Sequence, residues 1–249
     1  MRSLYESDYF TGREYLDYRA DEPFFRKTFR RRLQALCRRR STGRLLEIGA
    51  AYGFFGDLAA RHFAYVGFEV NTEAALYSRE QFGLNVYTDD FLEINPARLD
   101  GSFDVTVMWD VLEHLARPDL FLHRIGQLSH PGSLLCLTTG DIGSVLARIR
   151  GRRWRMIHPP THLHYFDRRT LTRLLANHGF RVVEVRSEGT ARSVRQVIHS
   201  IMALGLKRPD LYRRFEKHLS ASWGFTLNTF DIMFVVSEKV DKADHEGPC

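Results

Sequence analysis

The sequence has few cysteines and no long apolar segment. Its 249 residues include three cysteines, Cys37, Cys136 and Cys249, which are far apart and lack metal-ligand spacing. Neither a disulfide framework nor a zinc site is indicated, and we predict free thiols. No run approaches the roughly 18 apolar residues that span a bilayer, and the first residues do not resemble a signal peptide. We therefore expect a cytoplasmic protein without a transmembrane segment.

The charge balance is moderately basic, with 36 lysines and arginines against 30 acidic residues. The excess lies in two arginine clusters, one between Arg26 and Arg40 and one between Arg148 and Arg155. Such clusters can bind nucleic acid, an anionic membrane surface or an acidic substrate, and they can also be solvated helix faces. We interpret the first cluster as a solvated helix face, whereas the second adjoins a predicted lid and favours an acidic or phosphorylated ligand.

A strand, a tight turn and a helix are predicted between Arg44 and Ala60. The apolar run before Gly49 breaks into small residues, and helical spacing resumes at Phe54. Because Gly49, Ala51 and Gly53 carry little or no side chain, backbone N–H groups can approach a polar or anionic ligand there. Glu47 ends the apolar strand, where a carboxylate needs partners, and is expected to orient the loop or accept from a cationic ligand group.

Two further strands end in acidic residues. Glu69 follows the strand beginning at Ala64, where a nucleotide-binding α/β fold places the carboxylate that accepts both ribose hydroxyls. Asp90 and Phe91 follow a third short strand and could supply an acceptor and an apolar face for an adenine. An ordinary acidic turn is the alternative interpretation of Asp90.

Strands and helices alternate from Arg44 to Thr138, which predicts a parallel sheet with helices on both faces. Ligands on such a sheet bind at the carboxyl ends of the strands. Four polar or loop-forming residues fall at those ends, namely Gly49, Glu69, Asp90 and Asp110.

The loop Glu47-x-Gly49-x-Ala51-x-Gly53 resembles the Glu-x-Gly-x-Gly-x-Gly signature of class I S-adenosylmethionine (SAM)-dependent methyltransferases, with alanine at the middle glycine. The segment from Phe103 to His114 is similar to the later Phe-Asp and Val-Leu-Glu-His motif of the small-molecule members, which include ubiquinone and natural-product O-methyltransferases. The resemblance implies a Rossmann-like, seven-stranded, mostly parallel sheet whose last strand is antiparallel, and SAM as the cofactor. It implies that SAM is bound by the loop residues Glu47, Gly49, Ala51 and Gly53. The ribose of SAM would then contact Glu69, its adenine Asp90 and Phe91, and its methionine part Trp109 and Asp110.

Histidines cluster between the fifth strand and the next helix, at His158, His162 and His164. Prolines flank them and no cysteine or carboxylate is close in sequence, so we expect no metal site. A hydroxyl acceptor benefits from a general base, and histidine suits that role. His162 and His164, followed by His114, are the candidate catalytic residues; the alternative is that they only pack and form hydrogen bonds.

The domain prediction has three parts. Residues 1–40 form an N-terminal helical extension, residues 41–238 form the methyltransferase domain, and residues 239–249 form a polar tail. Within the domain, residues 140–166 are a lid at the cleft and residues 188–226 a helical cap over the acceptor pocket. The oligomeric state and the chemistry of the acceptor atom are not indicated.

The predicted function is methyl transfer from SAM to a small molecule, most simply to an oxygen of a metabolite, sugar or lipid-linked precursor. One alternative is a noncatalytic protein of the same fold that binds RNA through the arginine clusters. A dinucleotide-dependent oxidoreductase is disfavoured because Ala51 and Phe54 occupy positions where its fingerprint requires glycine. A nucleic-acid methyltransferase is disfavoured because no Asn/Asp-Pro-Pro-Tyr motif follows Trp109.

Overall fold

A computed structural model describes residues 18–199, 201–202, 210, 212 and 223–241. Residues 1–17, the first part of the predicted N-terminal helical extension, lie outside these residues. So do residues 242–249, which make up most of the predicted tail.

The first half of the fold alternates strands and helices as predicted. Helix α1 (Glu22–Cys37) has Pro23 in its first turn, where the missing N–H is tolerated. It is followed by β1 (Arg44–Ile48), α2 (Phe54–Ala59), β2 (Ala64–Phe68), α3 (Thr72–Phe82), β3 (Val86–Tyr87) and β4 (Phe103–Trp109).

The second half adds the remaining sheet strands and several short helices. The elements are α4 (Pro118–Gln127), β5 (Ser129–Gly140), α5 (Val145–Arg150), α6 (Arg168–Ala176), β6 (Phe180–Ser187), β7 (Thr190–Ser193), α7 (Val194–His199), β8 (Gly224–Leu227) and β9 (Ile232–Lys239). Helix α6 begins at a capping box, in which the Asp167 carboxylate accepts from the Thr170 N–H and the Thr170 hydroxyl bonds back to the Asp167 N–H.

Seven strands form one sheet in the order β3-β2-β1-β4-β5-β9-β6. Strands β1 to β5 pair in parallel, and β9 pairs antiparallel with both β5 and β6. The predicted mostly parallel sheet with an antiparallel last strand is therefore confirmed. Strand β9 lies inside the sheet, with β6 at the edge.

The two faces of the sheet carry separate apolar clusters. On one face α1 and α2 pack through residues such as Phe29, Leu33 and Phe55. On the other face α4 and α6 pack through residues such as Ile125 and Leu171. The helical spacing of these residues in the sequence follows from this arrangement, because each helix buries one side against the sheet.

The segment predicted as a helical cap, residues 188–226, contains strands that were not predicted. Strands β7 and β8 form an antiparallel pair, and β7 leads into the short helix α7. The pair lies against α1, since the Ala191 N–H donates to the Thr28 hydroxyl at 2.9 Å. Strand β8 starts at Gly224, where a Cβ atom would come within 1.9 Å of the Phe24 ring. The described part of this segment is thus a strand pair and a helix anchored on α1.

Two of the three cysteines lie among the described residues. Cys37 and Cys136 are free thiols, as predicted, and Cys249 lies outside these residues. Burial raises the pKa of the Cys136 thiol to about 12, so it stays protonated at neutral pH. Among the described residues, no helix combines the length and hydrophobicity required to span a bilayer.

Candidate active site

The loop after β1 closes against the end of β2. The Gly49 and Ala50 N–H groups both donate to the Phe68 carbonyl, at 2.8 and 3.0 Å. Gly49 has a φ of +81°, and a Cβ atom there would lie 2.5 Å from a methyl group of Val111. Glycine is therefore required at this position both by the backbone conformation and by the close approach of the segment after β4.

Ala51, where the family signature has glycine, adopts a left-handed conformation with a φ of +46°. This conformation is uncommon for a residue with a Cβ atom. It is stabilised by the Glu69 carboxylate, whose Oε2 accepts from the Ala51 N–H at 2.7 Å. Alanine at position 51 therefore keeps the loop conformation in which the N–H of residue 51 points to Glu69.

The Glu69 carboxylate links the loop to the start of α3. Its Oε1 accepts from the Asn71 N–H at 2.8 Å, while Oε2 accepts from Ala51. Burial raises the pKa of Glu69, and the backbone hydrogen bonds from Asn71 and Ala51 act in the opposite direction. Each carboxylate oxygen has a second lone pair, so the group retains capacity to accept from hydroxyls of a ligand.

Glu47 lies beneath the loop in a buried position. Its Oε2 accepts from the Tyr65 hydroxyl at 2.6 Å. Burial raises the pKa of Glu47 to about 8; the Tyr65 hydrogen bond lowers it, and the nearby Glu69 carboxylate raises it further. In the free protein Glu47 is consequently a mainly neutral acid at neutral pH, which the sequence did not indicate.

The end of β4 contributes Trp109 and Asp110. Asp110 has a φ of +57°, and its N–H lies within hydrogen-bonding distance of both the carbonyl and the hydroxyl oxygens of Thr138. Trp109 is buried with its ring stacked on Phe234 and edge-on to Phe55. Its indole N–H has no hydrogen-bond partner among the described residues. The predicted methionine-binding pair thus combines a half-exposed carboxylate with an unsatisfied donor.

Arg32 of α1 joins this edge of the sheet, although its cluster was predicted to be a solvated helix face. Its Nε donates to Glu188 at 2.7 Å, and its terminal nitrogen lies 3.5 Å from the Asp110 carboxylate. The guanidinium also lies over the Trp109 ring, 5.0 Å from the centroid. Burial alone would lower the pKa of Arg32, but Asp110 and Glu188 raise it above its usual value.

The prediction for that cluster was therefore wrong at Arg32, and other members are also engaged in ion pairs. Arg26 pairs with Asp57 at 2.6 Å. Arg39 pairs with Glu184 at 2.9 Å, beside a groove of about 690 Å³ that Arg31, Arg38 and Arg186 also line. Helical periodicity could place these arginines on α1 but could not identify partners that are distant in sequence.

The two residues predicted for the adenine occupy different environments. Asp90 is exposed, and its Oδ1 accepts from the Leu92 N–H at 2.8 Å. Phe91 is buried in the core, edge-on to Phe68 and stacked on Phe121. Both lie just beyond the carboxyl end of β3, at the predicted edge of the sheet, and their roles remain predictions.

Glu113, His114 and His162 come together next to this edge. Glu113 and His114 lie in a short 3₁₀ turn after β4, and His162 comes from the lid. One potential ligand atom from each of the three residues lies within 4.8 Å of the other two, and all three side chains are buried. The absence of a carboxylate near His162 in the sequence argued against a metal site, but the fold supplies one from Glu113.

Hydrogen bonds fix the orientation of both rings. His114 Nδ1 lies 2.9 Å from the Thr161 carbonyl oxygen, and His162 Nδ1 lies 2.8 Å from the Met156 carbonyl oxygen. A carbonyl can only accept, so each Nδ1 carries the hydrogen and Nε2 is the nitrogen with the lone pair in the neutral ring. Burial lowers the pKa of His114 and favours that neutral form.

The Glu113 carboxylate is buried, and neither oxygen forms a hydrogen bond within the described part of the chain. Burial raises the pKa of Glu113 to about 8, and the negative charge of Asp110 raises it further, while the nearby Thr139 hydroxyl and Arg32 have the opposite effect. A native buried carboxyl with two unsatisfied oxygens needs a physical explanation, because such a group usually has partners.

His164, the remaining candidate base, is half-buried and stacked on Phe166. It lines a small cavity together with Glu113, His162 and Tyr165. The structure thus brings His114 and His162 into direct contact and places His164 at the cavity that His162 also lines, and their role as a base stays a prediction.

The lid is anchored by Asp231, a residue that the sequence did not single out. Trp154 is buried, and its indole N–H donates to Asp231 at 2.8 Å. Arg155 also donates to this carboxylate at 2.8 Å, and the Thr229 hydroxyl forms a further hydrogen bond. Burial opposes ionisation, but these donors hold the pKa of Asp231 below its usual value.

Replacing Asp231 with alanine is expected to lower the free energy of unfolding by about 2 to 3 kcal/mol, because the buried Trp154 N–H loses its acceptor. Trypsin should then cleave faster near Arg152 and Arg153 of the lid. Chemical denaturation and timed proteolysis measure the two effects. Arg155→Ala is the comparison variant and should cost less than Asp231→Ala, because the Trp154 N–H and the Thr229 hydroxyl still donate to the buried carboxylate. Unchanged proteolysis in Asp231→Ala would contradict the proposed anchor.

Comparison with known proteins identifies the family. A family model described as a methyltransferase domain matches residues 17–185. A ubiquinone biosynthesis O-methyltransferase from Maricaulis maris is 30% identical over 132 residues, which cover 50% of this chain and 52% of the relative. One from Escherichia coli is 29% identical over 119 residues, which cover 45% and 46%. The chain therefore spans about half the length of the curated relatives it matches.

Solved structures share the fold. A magnesium protoporphyrin IX methyltransferase from Synechocystis with bound S-adenosylhomocysteine (SAH) has a TM-score of 0.55 at 12% identity, covering 86% of this chain and 83% of that one. The N-methyltransferase NodS from Bradyrhizobium japonicum, also with SAH, has a TM-score of 0.52 at 18% identity, covering 85% and 87%. The fold and the family model together show that this chain belongs to the class I SAM-dependent methyltransferases.

Proposed function

We propose that the protein transfers a methyl group from SAM to a small-molecule acceptor, most simply to an oxygen atom. The observation that carries the proposal is the joining of the left-handed loop at Gly49, Ala51 and Gly53 to the buried Glu69 carboxylate at the carboxyl ends of β1 and β2. This arrangement places a carboxylate acceptor beside a tight turn of small residues on one edge of the sheet, as a nucleoside requires, while the Gly49, Ala50, Ala51 and Gly53 N–H groups serve to hold the turn itself.

The remaining predicted cofactor residues support the same placement. Asp110 and the unsatisfied indole N–H of Trp109 lie at the adjacent end of β4, where the methionine part of SAM would bind. Asp90 lies beyond β3 and would accept from the adenine amine. The proposal therefore orders the cofactor along the edge from β3, through β2 and β1, to β4.

Methyl transfer from a sulfonium needs alignment more than covalent assistance, since the leaving group is good and neutral. Alignment of nucleophile, methyl carbon and sulfur can contribute on the order of 7 to 11 kcal/mol. A hydroxyl acceptor must also lose a proton, and a general base contributes about 10²- to 10⁴-fold. His114, His162 and His164 lie beside the end of β4 and are the candidate groups for this step.

The acceptor is proposed to be a small molecule with an anionic group, and the protein to act in the cytoplasm. The exposed arginines of the lid, such as Arg152 and Arg153, support an anionic acceptor. The similarity to ubiquinone biosynthesis O-methyltransferases supports an oxygen nucleophile over the matched half of those proteins. Incubation of the protein with isotopically labelled SAM and a metabolite extract would identify the acceptor as the labelled species.

Cofactor binding is tested by titration calorimetry with SAH. Wild-type protein is expected to bind SAH and not NAD, and Glu69→Gln is expected to weaken SAH binding by about 10- to 100-fold, because hydrogen bonds to a charged acceptor are lost. Glu80→Gln, an exposed position on α3, is the matched control and should bind normally. Absence of SAH and SAM binding, or NAD binding in their place, would overturn the proposal. RNA binding without SAH affinity would favour the noncatalytic alternative.

A further inference from the structure

We propose that Glu113, His114 and His162 bind a divalent first-row transition-metal ion. Two imidazoles and one carboxylate provide borderline nitrogen donors and one hard oxygen donor, a set found in zinc sites and in sites for other divalent transition metals. The three side chains already offer ligand atoms within 4.8 Å of one another. Binding of one ion would require these atoms to move closer by small side-chain rotations.

The unsatisfied carboxylate is the first observation that points to a ligand. Glu113 is only 2% exposed, and neither of its oxygens has a hydrogen-bond partner among the residues that the structure describes. The Thr139 hydroxyl lies beside the group without forming a hydrogen bond of good geometry. A dication bound at this position would satisfy the carboxylate and compensate its charge, which removes the cost of burying it.

The orientation of the histidines is an independent second observation. Metal-binding histidines usually donate their other ring N–H to a carbonyl or carboxylate, which fixes the tautomer. His114 and His162 both do this, with the Thr161 and Met156 carbonyl oxygens at 2.9 and 2.8 Å. Each ring therefore carries its lone pair on Nε2, as a ligand must.

The lid backbone also holds the cluster together. The Leu163 and His164 N–H groups both donate to the Glu113 carbonyl, at 2.8 and 3.1 Å. These bonds fix His162, one residue earlier, relative to the turn that carries Glu113 and His114. The adjoining cavity has a volume of about 10 Å³, enough for one water-sized ligand and too small for an organic cofactor.

Three protein ligands leave an open position on a tetrahedral ion, as in catalytic zinc sites. A hydroxyl bound at that position would have a lowered pKa and would pass its proton to His164, which lines the same cavity, before its oxygen takes the methyl group. This chemical role rests on the proposed function, whereas metal binding itself does not. In this arrangement His114 and His162 are ligands, and His164 is the histidine of the cavity that stays outside the ligand set.

The test uses tag-free, full-length protein that has been treated with a chelator and dialysed. Zn²⁺ is then titrated in competition with a chromophoric chelator, with Mn²⁺ and Mg²⁺ as further arms. We expect one tight Zn²⁺ site per chain, binding by Mn²⁺, and much weaker binding of Mg²⁺. Glu113→Gln and His162→Ala should each weaken Zn²⁺ binding by about 100-fold or more, since loss of even a supporting residue costs 10- to 100-fold.

His158→Ala is the matched control, because His158 is an exposed histidine of the same lid and its ring centroid is 6.2 Å from that of His162. It should retain wild-type Zn²⁺ affinity. Zn²⁺ should also raise the melting temperature of wild type and His158→Ala but not that of Glu113→Gln. Because Glu113→Gln is isosteric, it still tests the site if His162→Ala fails to fold.

Two results would overturn the proposal. One is the absence of a stoichiometric site, which would mean that water alone satisfies Glu113. The other is unchanged affinity in Glu113→Gln and His162→Ala, which would mean that other histidines of the chain bind the ion. SAH affinity, measured on the same samples, separates this failure from a failure of the proposed function, because SAH binding would persist if only the metal site were absent.

Discussion

Arg32→Met is expected to lower the free energy of unfolding by about 3 kcal/mol, the lower end of the range for breaking a buried ion pair. Arg32 and Glu188 are 2% and 4% exposed and are joined by a hydrogen bond of 2.7 Å. Without Arg32 the Glu188 carboxylate stays buried, and its remaining cationic neighbour within the described ranges, Arg186, is 3.8 Å away. Urea denaturation at pH 7, followed by circular dichroism, measures the loss.

Two companion variants separate the ion pair from general effects on α1. Arg30→Met changes an exposed arginine of the same helix and should alter stability by less than about 0.5 kcal/mol. Arg32→Met combined with Glu188→Leu removes both charges, and we expect it to recover most of the lost stability. If Arg32→Met and Arg30→Met have equal cost, the loss of Arg32 does not leave Glu188 as an uncompensated buried charge.

The rescued double variant should nevertheless bind SAH more weakly than wild type. Arg32 also lies 3.5 Å from Asp110 and over the Trp109 ring, so its loss releases both groups at the end of β4. Calorimetry on the double variant therefore distinguishes the role of Arg32 in stability from its role in positioning the proposed cofactor site.

Glu47→Gln is expected to change how stability depends on pH, with a total effect of about 4 kcal/mol between pH 4.5 and 9. Folding raises the pKa of Glu47 from an ordinary 4.5 to about 8, so the folded protein binds more protons than the unfolded chain in this range. The stability due to the neutral Glu47 is complete below pH 4.5 and is lost as the pH rises towards 8. Glutamine cannot ionise, so the Glu47→Gln variant does not lose this stability as the pH rises.

The measurement is the difference in free energy of unfolding between Glu47→Gln and ligand-free wild type at several pH values. We expect the variant to be slightly less stable at pH 5 and more stable at pH 9, because its amide oxygen can still accept from Tyr65. The contribution of Glu113 is common to both proteins and cancels. A difference that does not vary with pH would mean that Glu47 is already ionised in the fold at neutral pH.

Local sequence patterns are sufficient to predict most of the sheet and the positions of the proposed cofactor-binding residues at its edge. The loop from Gly49 to Gly53 depends on small residues at fixed spacing, and Glu69 lies at the end of the next strand, so both features are encoded within a short segment. The alternation of apolar strands with amphipathic helices gave the parallel order in the same way. Such features are predictable because neighbouring residues in sequence determine them.

Partners that are distant in sequence could not be predicted. The Arg32–Glu188 and Trp154–Asp231 contacts join residues that only the fold brings together. The same reason explains why the sequence shows no carboxylate beside the histidines of residues 158–164, since Glu113 belongs to the turn after β4. The strands β7 and β8 were missed because Thr190–Ser193 and Gly224–Leu227 are short and are stabilised by packing on α1.

The position of β9 inside the sheet has a consequence for synthesis on the ribosome. Strand β6 is hydrogen-bonded to the sheet through β9, and Trp154 depends on Asp231, which immediately precedes β9. A nascent chain that has emerged only as far as β6 therefore exposes an unpaired edge along β5 and a lid without its anchor, and unpaired edges promote aggregation. We expect chains stalled before residue 232 to engage chaperones, and chains released after residue 239 to complete the sheet and fix Trp154 in one step.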